Sequence, residues 1–392
     1  MKTLRSPKEV IPYSHQYIDA SDIAEVIGVL KSAWITQGPK IKEFESALCK
    51  YTGAKYAVAV SSGTAALHIA VFAAGVEKGD EVITSPLTFA ASANCILYCG
   101  GKPIFADIKT PTANIDPAEI VRRINKKTKA VIPVHFAGRP AELEEIRNIA
   151  KRHNLIVIED AAHALGAEYR GSKVGSCRHS DMAVFSFHPV KSITTGEGGA
   201  ILTNSKKLYE RLSILRNHGI TKDGSRFARR DPRKTGRWYY EQQYLGFNYR
   251  ITDIQSALGV SQLKKLDGFL KRRGDIARIY DKALSAVSQV ELPAREKHVK
   301  SAWHLYPIRI KRAINRKKVF DALRAKGIGA QIHYIPVYTH PHYQRLGYNK
   351  GLCPKAEAFY EREISIPLYP AMKREDIKYV IDVLIKAVKQ YA

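Results

Sequence analysis

The residues best equipped for chemistry lie in the run Phe185-Ser-Phe-His-Pro-Val-Lys-Ser-Ile-Thr-Thr-Gly-Glu-Gly-Gly-Ala-Ile-Leu202. Lys191 stands between two apolar stretches, Met182 to Phe187 and Ala200 to Thr203, next to Gly196, Gly198 and Gly199. The flanks read as two short buried strands joined by a tight connection containing glycine. An ammonium there is costly unless it is paired, or unless its pKa falls and the amine becomes a nucleophile. A neutral, partly desolvated lysine forms a Schiff base with a carbonyl, and pyridoxal phosphate is the commonest such carbonyl. Taken alone, the stretch is explained as well by a structural, ion-paired lysine at a strand end.

Other parts of the chain shift that balance. Ser61-Ser-Gly-Thr64 falls between a strand pattern and a helix pattern. A helix start offers unpaired backbone N–H groups, and Gly63 lets the backbone approach a phosphate closely, with the Thr64 hydroxyl beside it. Asp160 ends the apolar run Leu155 to Ile158, where a carboxylate can keep a pyridine nitrogen protonated. His163 could hydrogen-bond the ring hydroxyl or stack on the ring. Ser186 could add a hydroxyl to the phosphate, and Phe89 could stack on the pyridine face. Each feature has a bland explanation as a cap, an ion pair or a core aromatic. Their order along one parallel α/β domain is what a pyridoxal phosphate fold requires.

The elements that must position these residues are visible as an alternation. Strand patterns at 56–60, 81–84, 102–106, 130–134, 155–158, 182–187 and 200–203 are separated by helical spacings. This predicts a mostly parallel sheet covered on both faces, with ligands at the carboxyl ends of its strands. Helical spacing is also expected over 19–31, and over 252–285 with breaks at Gly268 and Gly274. The last third reads as a smaller α+β unit with strands at 306–310 and 330–334. We therefore expect a large domain over 1–250 and, over 251–392, a connecting helix with a small C-terminal domain.

The chain has 392 residues with 45% hydrophobic and 26% charged, an ordinary globular composition. No run is long and apolar enough to span a bilayer, and no signal peptide is evident. The five cysteines complete no metal set and read as reduced thiols of a cytoplasmic protein. The net charge of +26 is unusual. It is spread along the chain, with a local concentration at 221–237 that no nucleic-acid motif accompanies. The charge run is either a solvated surface or an aid in holding a phosphorylated ligand.

With these motifs in place, the sequence resembles the DegT/StrS-type nucleotide-sugar aminotransferases, pyridoxal phosphate enzymes of fold type I. The resemblance covers about residues 10–390. It rests on Trp34-Ile-Thr-Gln-Gly-Pro39, Ser61-Ser-Gly-Thr-Ala-Ala-Leu67, Glu159-Asp-Ala-Ala-His-Ala-Leu-Gly166, the run around Lys191, and Gly246-Phe-Asn-Tyr-Arg-Ile-Thr-Asp-Ile-Gln-Ser-Ala-Leu-Gly259. Within the family it looks most like the branch that aminates C4 of a UDP-linked 4-keto-6-deoxy-HexNAc for pseudaminic acid. Ile11-Pro-Tyr-Ser-His15, Arg216-Asn-His-Gly219 and Gln331-Ile-His-Tyr-Ile-Pro-Val-Tyr338 carry that finer likeness.

The resemblance implies Lys191 as the Schiff-base lysine, Asp160 on the pyridine nitrogen and His163 at the ring. It implies Gly63, Thr64 and Ser186 at the phosphate and Phe89 on the ring face. Asn248 would reach the phosphate in a neighbouring subunit, which implies a homodimer with shared active sites. Thr36, Gln37, His333, Tyr334 and Tyr338 would line the sugar-nucleotide side. L-glutamate would be the amino donor and 2-oxoglutarate its product. Another nucleotide-linked keto sugar, whether a D-configured 4-keto HexNAc, a 4-keto pentose or a 3-keto sugar, would suit the same chemistry. A regulator binding nucleic acid on the same fold is the alternative of another class.

Overall fold

The computed structural model describes residues 10–228, 236–311 and 313–391. Seven strands form the main sheet: β1 (Tyr56–Val60), β2 (Glu81–Thr84), β3 (Lys102–Phe105), β4 (Thr128–Ile132), β5 (Ile156–Asp160), β6 (Met182–Ser186) and β7 (Gly199–Thr203). They lie in the order β1-β7-β6-β5-β4-β2-β3. All neighbouring pairs are parallel except those of β7, which runs antiparallel to both β1 and β6. All seven expected strands are present.

Period-two alternation explains how the sheet buries both faces. In β6, Met182 and Val184 join one core while Ala183 and Phe185 join the opposite one. The first core is filled by α3 (Gly63–Ala73), buried on nearly every side, as expected for a helix that is apolar all round. Two more helices precede it in the chain, α1 (Ala20–Leu30) and α2 (Pro39–Thr52). Phe44 and Leu48 of α2 fill the second core together with the start of a long helix.

That long helix spans Asp253–Leu284, 32 residues, and its start is fixed by a capping box between Thr252 and Gln255. It does not break at Gly268 or Gly274, which corrects the sequence expectation. A glycine inside a helix costs about 1 kcal/mol against alanine, less than the packing along both ends supplies. Its first half, through Val260, Leu263 and Leu266, packs on the sheet side. Its second half, through Ile276, Ala277, Tyr280 and Leu284, enters a separate C-terminal core.

The C-terminal unit contains a three-stranded antiparallel sheet of β8 (Val290–Glu291), β9 (Tyr306–Ile310) and β10 (Glu363–Ile366). Helices over Arg316–Ala325 and Arg374–Gln390 cover it. The expected strand at 330–334 is reduced to one bridge between Gln331 and Ser365. Past that bridge the chain leaves the small sheet and crosses toward the main sheet. There Val337, Tyr338 and Tyr343 pack with Leu87, Phe105 and Phe136. Among the described residues, no helix is long and apolar enough to cross a membrane.

Candidate active site

The carboxyl ends of β1, β2, β5 and β6 converge on a cavity of about 770 Å³. This is the crevice where ligands bind in open α/β sheets. Lys191 enters it from the connection between β6 and β7. That connection is held by its own backbone: Phe187 N–H donates to Gly198 O at 2.9 Å, and Thr195 N–H to Phe187 O at 3.0 Å. The Thr194 hydroxyl also donates to Phe187 O at 3.0 Å, and Ser14 Oγ donates to Val190 O at 3.1 Å. The lysine is half-buried. Burial pushes its ammonium down to about 8, and the Asp160 carboxylate acts in the opposite direction. Its amine is therefore available in neutral form near physiological pH.

Asp160 closes β5 and is buried. Its Oδ1 accepts from Ala162 N–H at 3.1 Å, and its Oδ2 accepts from Ser92 Oγ at 2.5 Å. Thr88 Oγ1 lies 2.6 Å from Ser92 Oγ and donates to it, because the Ser92 proton is committed to Asp160. His163 follows on the next turn and is also buried. Its Nε2 lies 3.2 Å from the Tyr334 hydroxyl, while its Nδ1 has no hydrogen-bond partner among the described residues. Burial, reinforced by the charge of Lys191, holds its pKa well below the ordinary value, so the ring is neutral.

The opposite wall is the start of α3. Ser62 caps it by accepting from Ala65 N–H at 3.1 Å, which leaves the N–H groups of Gly63 and Thr64 free toward the cavity. Ser186 packs directly against them. A Cβ at position 63 would stand 2.8 Å from Ser186 Cβ, so only glycine fits. Phe89 lies at the mouth, 65% exposed. From the C-terminal unit come His333 and Tyr334.

This donor set suits pyridoxal phosphate. A helix start with a serine hydroxyl can hold its phosphate, a buried carboxylate can meet a protonated ring nitrogen, and an amine of lowered pKa can hold its carbonyl carbon. The unpartnered His163 Nδ1 is an orphaned polar atom that a ring substituent can satisfy.

Nine of the residues singled out in the sequence thus line one cavity: Lys191, Gly63, Thr64, Phe89, Asp160, His163 and Ser186, with His333 and Tyr334 closing the far side. Tyr338 does not line it, which corrects that expectation. Its ring is buried among Phe105 and Val337, and its hydroxyl donates to Glu357 Oε1 at 2.5 Å. Thr36 and Gln37 are exposed and outside this chain's cavity, in a loop that bridges to Thr252. Asn248 is likewise exposed and outside it. Part of the basic segment, 229–235, lies outside the described residues; in the described part, Arg226 pairs with Glu210 at 2.9 Å and Asp223 at 3.2 Å.

Sequence reasoning missed Ser92, Tyr13 and His340, which also line the cavity. None of them had a legible signal: Ser92 is marked only by its hydrogen bond to Asp160, 68 residues away in the chain.

The strand order and the cavity define a pyridoxal-phosphate-dependent enzyme of fold type I. The pattern of the DegT/DnrJ/EryC1/StrS aminotransferase family matches residues 16–385, and the chain belongs to that family. It is accordingly a sugar aminotransferase with pyridoxal phosphate as its cofactor. The chain is 41% identical over 386 residues to the UDP-4-amino-4,6-dideoxy-N-acetyl-beta-L-altrosamine transaminase of Campylobacter jejuni, covering 97% of this chain and 98% of that protein. It is 40% identical over 385 residues to the spore coat polysaccharide biosynthesis protein SpsC of Bacillus subtilis, covering 97% of each. Among solved structures it resembles Helicobacter pylori PseC, an aminotransferase involved in the biosynthesis of pseudoaminic acid. That match has a TM-score of 0.90 at 35% identity and covers 98% of this chain and 100% of that one.

Proposed function

We propose that the enzyme transfers an amino group from L-glutamate to C4 of a UDP-linked 4-keto-6-deoxy-HexNAc, UDP-2-acetamido-2,6-dideoxy-beta-L-arabino-hex-4-ulose. The product would be UDP-4-amino-4,6-dideoxy-N-acetyl-beta-L-altrosamine. The observation that carries this reading is Lys191, with its amine near neutrality, in one cavity with Asp160, His163, Ser186 and the start of α3. The relatives in Campylobacter jejuni and Helicobacter pylori support the choice of sugar.

Pyridoxal phosphate, when bound, supplies an electron sink and carries the amino group between donor and sugar. In this reading the residues divide the work as follows. Gly63 and Thr64 N–H groups and the Ser186 hydroxyl bind the phosphate. The Asp160 carboxyl group faces the ring nitrogen, held in place by Ser92 and Ala162 N–H. His163, kept neutral, bonds the ring side, and Phe89 covers the open face. Lys191 Nζ takes a proton from the donor's Cα and later returns one to the sugar's C4. Amine and ammonium are both accessible to it because its pKa sits at about 8.

In the same reading two chains associate and share their sites. Trp34, Ile35, Trp238, Tyr244 and Leu245 are exposed apolar residues around the loops that carry Thr36 and Asn248. Such a face suits a second copy, with Asn248 reaching its phosphate site and Thr36 and Gln37 its sugar side. The free cysteines fit a cytoplasmic enzyme. The test is incubation with glutamate and a panel of UDP-4-keto sugars, with 2-oxoglutarate release measured and product stereochemistry read by NMR. Amination of the L-arabino substrate with the altrosamine configuration supports the proposal. Preference for another sugar, or the opposite configuration at C4, refutes it.

A further inference from the structure

His333 lines the cavity, but the groups that hold it lie behind it in the C-terminal sheet. Gln331 and Ser365 exchange backbone hydrogen bonds of 3.1 and 2.8 Å, which sets the register of the segment. His333 N–H then donates to Glu363 Oε2 at 2.7 Å. Its ring Nδ1 lies 2.9 Å from Ser365 Oγ, and Ser365 Oγ lies 2.5 Å from Glu363 Oε1. The ring's Nε2 has no partner among the described residues and is left for whatever occupies the cavity.

Glu363 is fully buried, 0% exposed, and makes no ion pair among the described residues. Burial pushes its carboxyl up to about 8, against the opposing effects of Ser365, the His333 N–H and Arg316. The other groups around it do not neutralise it. Arg309, opposite it in β9, pairs with Glu291 at 2.9 Å. Arg362 also pairs with Glu291. Tyr334 is uncharged, its hydroxyl pushed far up by burial. His333 itself is held neutral: burial, with Lys191 adding to it, takes its pKa down to about 3.

Counting protons fixes what this arrangement does. Ser365 has one hydroxyl proton. When Glu363 is ionised it takes that proton as a hydrogen bond. Ser365 can then only accept from Nδ1–H, and His333 shows a bare Nε2 to the cavity. When Glu363 is protonated the chain runs the other way. Glu363 donates to Ser365, Ser365 donates to Nδ1, and the ring proton sits on Nε2. We propose that Glu363 is a positioning residue which, through Ser365, sets the tautomer of His333 and hence whether Nε2 offers the bound ligand a donor or an acceptor. The donor form suits a carbonyl or carboxylate oxygen of the ligand; the acceptor form suits a sugar hydroxyl. The inference rests on the reading of this cavity as the keto-sugar site for its ligand, but not for its proton count.

Glu363→Gln locks one state. The amide oxygen must face His333 N–H, so the amide NH2 faces Ser365 and the chain runs as with a protonated acid. The primary readout is NMR of the holoenzyme with 15N-labelled histidine, His333 being assigned with a His333→Phe variant. In the wild type, the His333 tautomer should pass from Nε2–H to Nδ1–H as the pH rises through about 8. In Glu363→Gln it should stay Nε2–H throughout. Ser365→Ala cuts the chain, removes the transition, and serves if Glu363→Gln does not fold. With a sugar that turns over, Glu363→Gln should remove the corresponding limb from the pH profile of KM and leave kcat within about twofold. A wild-type tautomer that does not change with pH, or a transition that persists in either variant, overturns the proposal. Because the tautomer is read without turnover, failure of the sugar assignment would not mask this result.

Discussion

A single methyl group at position 63 tests the phosphate cradle. A Cβ there would stand 2.8 Å from Ser186 Cβ and 3.0 Å from Ser186 Oγ, with Ser186 Cα at 3.4 Å. Bringing the closest contact to an ordinary 3.4 Å requires a displacement of 0.6 Å, the difference between 3.4 and 2.8. Ser186 cannot move freely, because β6 is paired with β5 on one side and β7 on the other. The start of α3 must retreat instead, although the helix is packed on nearly every side. Overpacking of this kind costs about 1–3 kcal/mol of stability. The retreat also carries the N–H groups of Gly63 and Thr64 away from the phosphate. A hydrogen bond to a charged group contributes about 1.5–3 kcal/mol, so losing one weakens cofactor binding by roughly 10- to 100-fold. Titration of the Gly63→Ala apoenzyme with pyridoxal phosphate, followed by absorbance, measures this, and urea denaturation measures the stability loss. Adding Ser186→Gly removes both contacted side-chain atoms and should restore stability without restoring full affinity. Wild-type affinity in Gly63→Ala would refute the reasoning, since the cofactor would then not depend on this approach of helix to strand.

Two further predictions concern charge. Lys191 has a folded-state pKa of about 8 against an ordinary 10.5, so between these values the unfolded chain holds more protons than the folded one. Stability from this group therefore rises with pH across that window, and its penalty is fully present below it. The stability advantage of cofactor-free Lys191→Met over wild type, measured by urea denaturation, should shrink as the pH is raised through the window. Asp160→Asn should retain cofactor yet lose roughly 10- to 100-fold in kcat, the loss expected for one charged hydrogen bond realised in the transition state. Steady-state kinetics and the cofactor absorbance measure the two parts.

The sheet was legible because each strand is a short run of apolar residues bounded by turn residues, and because both faces are buried. Lys191, Asp160 and Ser186 were legible for the same reason: each is placed by the end of such a strand. What escaped depends on contacts between distant segments. Gly268 and Gly274 looked like breaks, yet the long helix is held at one end by Leu263 and Leu266 and at the other by Ile276 and Tyr280. Tyr338 carries the same chemistry as Tyr334 and sits four residues later. Only the packing against Phe105 and the bond to Glu357 assign it to the core. Nothing in the sequence marked Glu363. Its burial, and its approach to His333 across thirty residues of chain, exist only once β10 is paired.

The central claim is that Lys191 holds the cofactor, and borohydride trapping tests it most directly. The holoenzyme is reduced with sodium borohydride and digested, and the modified peptide is located by mass spectrometry. The account predicts a pyridoxyl adduct on Lys191, suppressed when the enzyme is first incubated with L-glutamate. An adduct on another lysine, or a holoenzyme that borohydride does not label, would contradict it.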